Sequence, residues 1–417
     1  MKAGFFWRVC RVGLMGVFCA GVLLCAGLGL AEKLNVKDYG ARGDGVTNDT
    51  LAIRNAINAA NNAAGVNTVY FPAGTYMCND IPLTAAENRG AVKLDSPPAD
   101  LVFEGDGARV SILKRRPGGS PQQNRIATIA AGRNLTFQRL GFDANGIDRY
   151  GGIWGYGCSS ITVQRVWCFD SNVVGPNGFD RYMFGFVGDS TNIRIQDSLW
   201  QDLQLEVDDC RRVRILRNVV ERPRETGGIG VWGVNDGLTA LDYIIEENWI
   251  VDPSRVNGGA FMFQLDQNDT DGCEWRNFIV RNNTIIYPAA AVGARRPVAM
   301  KLGAHDSSDQ TSSGTIFDQI QITGNRIYVD PGLTGFSRDF IWFWHFYPKP
   351  LLHFDNTTVA SNTLYHSGSY GPLSISPVAK GVNWLDANNV KTGYVSPPPV
   401  PDPLSRPSAP SGLDAGR

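Results

Sequence analysis

The sequence predicts an all-β fold, a parallel β-helix solenoid with an N-terminal capping α-helix. Three observations carry that expectation. A short strand pattern, apolar-any-apolar, recurs as Leu135-Thr-Phe137, Ile161-Thr-Val163, Ile193-Arg-Ile195, Val213-Arg-Ile215, Tyr243-Ile-Ile245, Phe278-Ile-Val280, Ile320-Gln-Ile322 and Thr357-Thr-Val359, at spacings of 26, 32, 20, 30, 35, 42 and 37 residues. Alternation of this kind marks strands, and an irregular period of this size gives one solenoid coil per repeat with insertions at the turns. Three residues beyond the second apolar position stands Asn218, then Asn248, Asn283, Asn325 and Asn362, in five successive repeats. Parallel stacking puts equal positions about 4.8 Å apart, so these side chains are expected to hydrogen-bond along a turn as a ladder. A second alternating strand precedes each of the later repeats.

The elements follow in chain order. Lys2, Arg8 and Arg11, then the uncharged run Val12–Leu30 and the small residues of Gly29-Leu-Ala31, read as a signal peptide over residues 1–31. Residues 32–394 form the expected β-helix domain. Within it a helix is expected from Thr50 to about Ala63, with Asn48 or Asp49 as N-cap and Leu51, Ile53, Ile57 and Ala60 on its apolar face. The strand Thr68–Phe71 comes next. From 395 to 417 the chain is rich in proline, serine and glycine and is expected to be a disordered tail.

Charge is nearly balanced, at formal −1, so nothing favours a nucleic acid or, beyond the signal segment, a membrane as partner. Five cysteines follow the signal, Cys78, Cys158, Cys168, Cys210 and Cys273, with no C-x-x-C among them. They read as buried free thiols, with neither a zinc signature nor a disulfide framework.

The second strands are Ile153-Trp-Gly155, Phe184-Gly-Phe186, Leu205-Glu-Val207, Ile229-Gly-Val231, Phe261-Met-Phe263, Met300-Lys-Leu302 and Trp342-Phe-Trp344. Alternation aims Trp154, Gly185, Glu206, Gly230 and Lys301 outward, with Trp232 and Gln264 one step later in their coils. The turns that follow are acidic: Asp189, Asp208 and Asp209, Asp236, Asp266 and Asp269, His305 and Asp306. Glu206, Asp208 and Asp209 make the densest group and are the candidate acid and base of a glycosidase, whose two carboxyls need a separation of about 5–5.5 Å or 6.5–9.5 Å. Trp154, Trp232 and Gln264 are candidate sugar contacts. Tyr156, Trp342, Trp344 and Phe346 add aromatic surface.

The segment Asn35-Val-Lys-Asp-Tyr-Gly-Ala-Arg-Gly-Asp-Gly-Val-Thr-Asn-Asp49, followed by a helix and Val69-Tyr-Phe-Pro-Ala-Gly-Thr-Tyr76, resembles the N-terminal signature of the pectate-lyase-like superfamily. That group holds rhamnogalacturonase- and polygalacturonase-type hydrolases, mannuronan C5-epimerases and phage tail spikes. The resemblance implies a right-handed β-helix, a polysaccharide as partner, and a monomer or homotrimer, while the signal segment predicts a secreted, periplasmic or cell-surface location. Gly40, Gly43 and Gly45 are expected in tight turns, and Asp44 and Asp49 as architecture rather than catalysis. Asp208-Asp209-Cys210 is similar to the paired aspartates of polygalacturonases, although the Gly-His-Gly and Arg-Ile-Lys motifs of that family are absent. Gly178-Phe-Asp180 resembles the epimerase segment Tyr-Gly-Phe-Asp-Pro-His, with Arg181 and Tyr182 in place of Pro-His. A lyase or epimerase must remove a proton beside a carboxylate and neutralise that carboxylate. Arg181, Lys301 and His305 are the candidates for this, and Ca²⁺ held by the acidic turns is the cofactor such a lyase would use; a hydrolase needs none. The sequence therefore leads to a polysaccharide hydrolase first, then a uronate lyase or epimerase, then a non-catalytic surface β-helix.

Overall fold

The computed structural model describes residues 31–78, 99–116, 126–145, 153–169, 182–223, 227–233, 239–253, 259–265, 274–289, 299–304, 316–333, 341–345, 353–367, 374–375 and 383–406. Among these, strands join into three parallel sheets of 9, 13 and 12 strands, here called sheets 1, 2 and 3. Each full coil visits them in that order, as in Gln204–Val207, Arg211–Leu216 and Val219–Glu221. The architecture is all-β and consistent with a right-handed parallel β-helix.

The repeat pattern sets the register of sheet 2. Leu135, Ile161, Ile193, Val213, Tyr243, Phe278 and Ile320 are direct partners in successive strands. All seven are buried. Because equal positions stack, aromatic residues stack too: Tyr243 on Phe278 at 4.5 Å between ring centres, and Phe317 on Phe354 at 4.6 Å. Such a pair adds about 0.5–1.5 kcal/mol beyond its buried area.

The Asn ladder forms at the corner between sheets 2 and 3. Nδ2 of each Asn donates to Oδ1 of the next, from Asn218 through Asn248, Asn283 and Asn325 to Asn362, at 2.9–3.1 Å. It runs one rung further than expected, to Asn389. Each Oδ1 also accepts the preceding Asn's main-chain N–H, and each Nδ2 also reaches a strand carbonyl of the coil before. The residue ahead of each ladder Asn is left-handed, with φ of 54–66° at Arg217, Glu247, Asn282, Gly324, Ser361 and Asn388. That conformation makes the corner tight enough for the side chains to meet.

The helix α1 spans Thr50–Asn62. Its buried face is Ala52, Ile53, Ala56, Ile57 and Ala60, whereas Leu51, expected on that face, is 56% exposed. Asn48 Oδ1 accepts the Thr50 N–H at 3.1 Å. Asp49 makes no cap bond; its carboxylate accepts from Arg42 N and Gly43 N at 2.7 and 3.1 Å and so holds the glycine-rich loop against the helix. Gly40, Gly43 and Gly45 have φ of 98°, 63° and 76°, as their turns require. Asp44 is fully engaged in its own turn: hydrogen bonds from the Thr47 and Val46 main chain, then from the Thr47 hydroxyl, hold its carboxyl down at about 2.

Two expectations are corrected here. Within the expected disordered tail, residues 402–406 pack back on the β-helix, while residues 407–417 lie outside the described residues. Asp402 pairs with Arg109 at 3.1 Å, Arg165 donates to the Arg406 carbonyl at 2.6 Å, and Arg406 approaches Asp197 at 3.8 Å. Pro403, in the short 3₁₀ turn Pro403–Ser405, is buried. The second correction concerns Trp342-Phe-Trp344, whose phase is one residue from that expected: Ile341 pairs with the core residue Met300, and Trp342 with Lys301. The described cysteines, Cys78, Cys158, Cys168 and Cys210, are buried and free. Residues 1–30 and Cys273 lie outside the described residues, and no described helix is long and apolar enough to cross a membrane.

Candidate functional site

Glu206 belongs to the strand Gln204–Val207 of sheet 1. Leu205 and Val207 point into the core, so Gln204 and Glu206 share the opposite, outer face. The register then draws one row across that face: Trp154, Gly185, Glu206, Gly230, Met262, Lys301 and Trp342. A parallel row holds Trp232, Gln264, Gly303 and Trp344. The outward set read from the sequence is thus brought onto one face, with Trp232 and Gln264 as direct neighbours.

Glu206 sits in a notch. Its partners on both sides are glycines, Gly185 and Gly230; Gly230 presents no side chain to it, whereas the space over Gly185 is filled from the next rung. The Trp154 ring lies across Gly185; a Cβ there would come within 2.1 Å of Trp154 Cζ3. Tyr156 meets Trp154 edge-on at 6.1 Å, and Val187 completes a small apolar cluster outside the main core. One wall of the notch is therefore aromatic. Its floor is polar: Gln204 Nε2 donates to Glu206 Oε2 at 3.0 Å, and both residues are buried, at 0% and 5% exposure. Gln204 was not singled out in the sequence; the signal was its place two residues from Glu206, on the same face of one strand.

Asp208 and Asp209 follow in the turn toward sheet 2. Each is 2% exposed, so they are not a solvated acidic edge. Asp208 N donates to Phe186 O at 2.9 Å, and the Asp209 carbonyl accepts from Asp189 N at 3.1 Å, tying the turn to the coil before it. Asp209 is left-handed, φ 47°, as Asp189 is at 60°. Burial, and then the charges of Asp208 and Asp209, push the Cys210 thiol well up, which leaves it a packing group. Glu206 ends the outward row of its strand and Asp208 stands in the turn one residue past the strand end, so two buried carboxyls lie two residues apart in sequence.

Lys301 is three rungs from Glu206, roughly 14 Å along the row. It is half-buried, and burial draws its ammonium down to about 8. Asp180, Arg181 and His305 lie outside the described residues, as does Phe346; of Trp232, Gln264, Trp342 and Trp344 only the backbone register is described. Among the described residues no group of three or more His, Cys, Asp or Glu is placed to hold a metal.

Residues 33–145 match the family model described as rhamnogalacturonase A/epimerase, pectate lyase-like. The chain is 30% identical over 241 residues to the mannuronan C5-epimerase AlgE5 of Azotobacter vinelandii, an alignment covering 54% of this chain and 22% of that protein. It therefore spans about a fifth of the length of that curated relative. Among solved structures, the endo-xylogalacturonan hydrolase of Aspergillus tubingensis superposes with a TM-score of 0.55 at 14% identity, covering 86% of this chain and 93% of that one. The A-module of the Azotobacter vinelandii mannuronan C-5 epimerase AlgE6 gives 0.50 at 19% identity, covering 88% and 99%. At those identities the likeness is one of fold. Together with the stacked parallel sheets, these matches identify the chain as carrying a pectate-lyase-like parallel β-helix domain.

Proposed function

We propose that the outer face of sheet 1 binds a polysaccharide and that Glu206 and Asp208 hydrolyse it as an acid–base pair. The observation that carries this reading is the notch: a buried carboxylate between two glycine rungs, walled by Trp154 and followed two residues later by a second buried carboxylate. Gly230 leaves one side of Glu206 without a side chain, and the Trp154 ring on the other side would swing off Gly185 to admit a sugar and stack on it. One carboxyl gives its proton to the glycosidic oxygen as the C1–O bond breaks. The other takes a proton from the water that attacks C1. Asp209 holds the turn that positions Asp208. On this reading α1 closes the end of the solenoid, and residues 1–31 direct export.

A second reading is uronate epimerisation or elimination, with Arg181 or His305 contributing and Ca²⁺ in the lyase case. Lys301 favours it, because an amine near 8 is partly neutral at working pH and can take a proton next to a carboxylate. The AlgE5 match points the same way.

The test is incubation of the protein with pectins, xylogalacturonan, alginate and neutral β-glucans. New reducing ends without an unsaturated-uronate absorbance support hydrolysis, and Glu206→Gln should then lower turnover by roughly 10²–10⁴-fold with an unchanged melting temperature. Unsaturated product, or a changed uronate composition by NMR without cleavage, replaces hydrolysis with the second reading. Binding without any product leaves a non-catalytic β-helix.

A further inference from the structure

Sheet 2 carries a different surface on its outer face. Thr162, Arg194, Arg214 and Ile244 are direct partners on successive strands. They floor an open cleft of about 560 Å³. Its lip is a column of left-handed residues, Asn134, Ser160, Asn192 and Arg212, with φ of 51°, 57°, 62° and 56°, which turn the chain outward at the same point of each coil.

The cleft is basic. Five arginines line it, Arg194, Arg212, Arg214, Arg217 and Arg281, against Glu246 and Glu247. Four of the five guanidinium groups are held in place. Arg214 Nη1 donates to the carbonyls of Val213 and Asp242, both at 3.1 Å, and Arg194 Nη1 to Gln196 Oε1 at 3.2 Å. Arg281 pairs with Glu246 at 2.9 Å. Arg217 forks onto Asp197 at 2.8 and 2.9 Å, and Arg406 of the returning tail meets the same carboxylate from another side. That acid is thus covered by two cations. Arg212 is exposed and makes no ion pair among the described residues.

A concentration of fixed arginines on a chain of formal charge −1 is local, so it fits a local anionic ligand rather than long-range attraction. Arginine spacing follows the rungs, about 4.8 Å, comparable to the advance of a glycan chain by one sugar. Asn134, Ser160, Thr162 and Asn192 continue the cleft with neutral groups suited to hydroxyls. Among the described residues no aromatic side chain lines it, and stacking aromatics are what single-stranded nucleic acids use. We infer that this cleft is a second glycan site, which holds an acidic polysaccharide through its carboxylate or sulfate groups, apart from the row containing Glu206. The inference stands whether or not sheet 1 cleaves its ligand.

The test uses the whole chain and affinity electrophoresis or calorimetry with polymannuronate, a sulfated glycan, a neutral β-glucan and a single-stranded DNA. The expected result is salt-sensitive binding of the acidic glycans, weakened roughly tenfold or more in Arg194→Gln/Arg212→Gln, while turnover on short oligosaccharides and the melting temperature stay as in the parent. Should the double variant fail to fold, Arg212→Gln alone keeps the test, with a smaller loss expected. Unchanged acidic-glycan affinity in a folded variant overturns the inference. So does equal binding of the neutral glucan, tighter binding of DNA, or no acidic-glycan binding by the parent. Loss of affinity in the variant without cleavage by the parent would uphold this site while sinking hydrolysis on sheet 1.

Discussion

Lys301 shares its row with Glu206, yet burial holds it near 8 against an ordinary 10.5. Between those values the unfolded chain binds more protons than the folded one, so stability climbs as pH rises through that window. Below pH 8 the cost of the buried charge is present in full. Lys301→Met should therefore raise the urea midpoint at pH 7 and lose its advantage by about pH 10.5; parallel denaturation curves at both pH values check this. An unchanged difference across that range would mean the ammonium is not penalised by burial. Alternation was enough to place Lys301, Glu206 and Trp154 outward. It could not tell that Glu206 is covered, because that depends on neighbours from other coils, such as the Trp154 ring leaning over Gly185. Trp342 shows a second limit: where both faces of a strand are apolar, alternation carries no phase.

The Asn ladder was legible because it is local and repeated, and a fixed offset from each strand is enough to find it. Its last rung, Asn389, escaped because the strand before it, Leu385–Ala387, has an aspartate in its middle and exposed leucine at its start. Each inner rung serves four partners. Removing the Asn283 side chain takes the acceptor from the Asn248 main-chain and side-chain donors and a donor from the Ile245 carbonyl, while Asn325 Oδ1 keeps the Asn283 main-chain N–H. An unsatisfied buried polar group costs about 1–3 kcal/mol. Asn283→Ala should thus lower unfolding free energy by roughly 3 kcal/mol or more, and Asn389→Ala, at the ladder's end, by clearly less. Equal losses at the two positions, measured by urea titration, would show that the rungs act separately and not as a chain.

For the molecule as a whole, composition missed the docking of residues 402–406 within the tail. A proline-rich segment cannot order itself, but it can borrow order from a surface already built. Arg109, Arg165 and Asp197 supply that surface from three different coils. Exposed ion pairs contribute only about 0–1 kcal/mol each, so truncation after Thr392 should lower the melting temperature by a few degrees without loss of the β signature in circular dichroism. A drop as large as that from Asn283→Ala would make the strap part of the core.

The strap also decides how the solenoid carries load. Arg109 and Asp402 are 293 residues apart in sequence, yet they touch. Tension applied at the C-terminus reaches this clasp, and the Arg165 and Asp197 contacts beside it, before it reaches the last coil. The final rungs around Asn362 and Asn389 are spared until the clasp slips. A pulled molecule should therefore yield first in a short, weak step that frees the tail, and only then begin to unwind coil by coil.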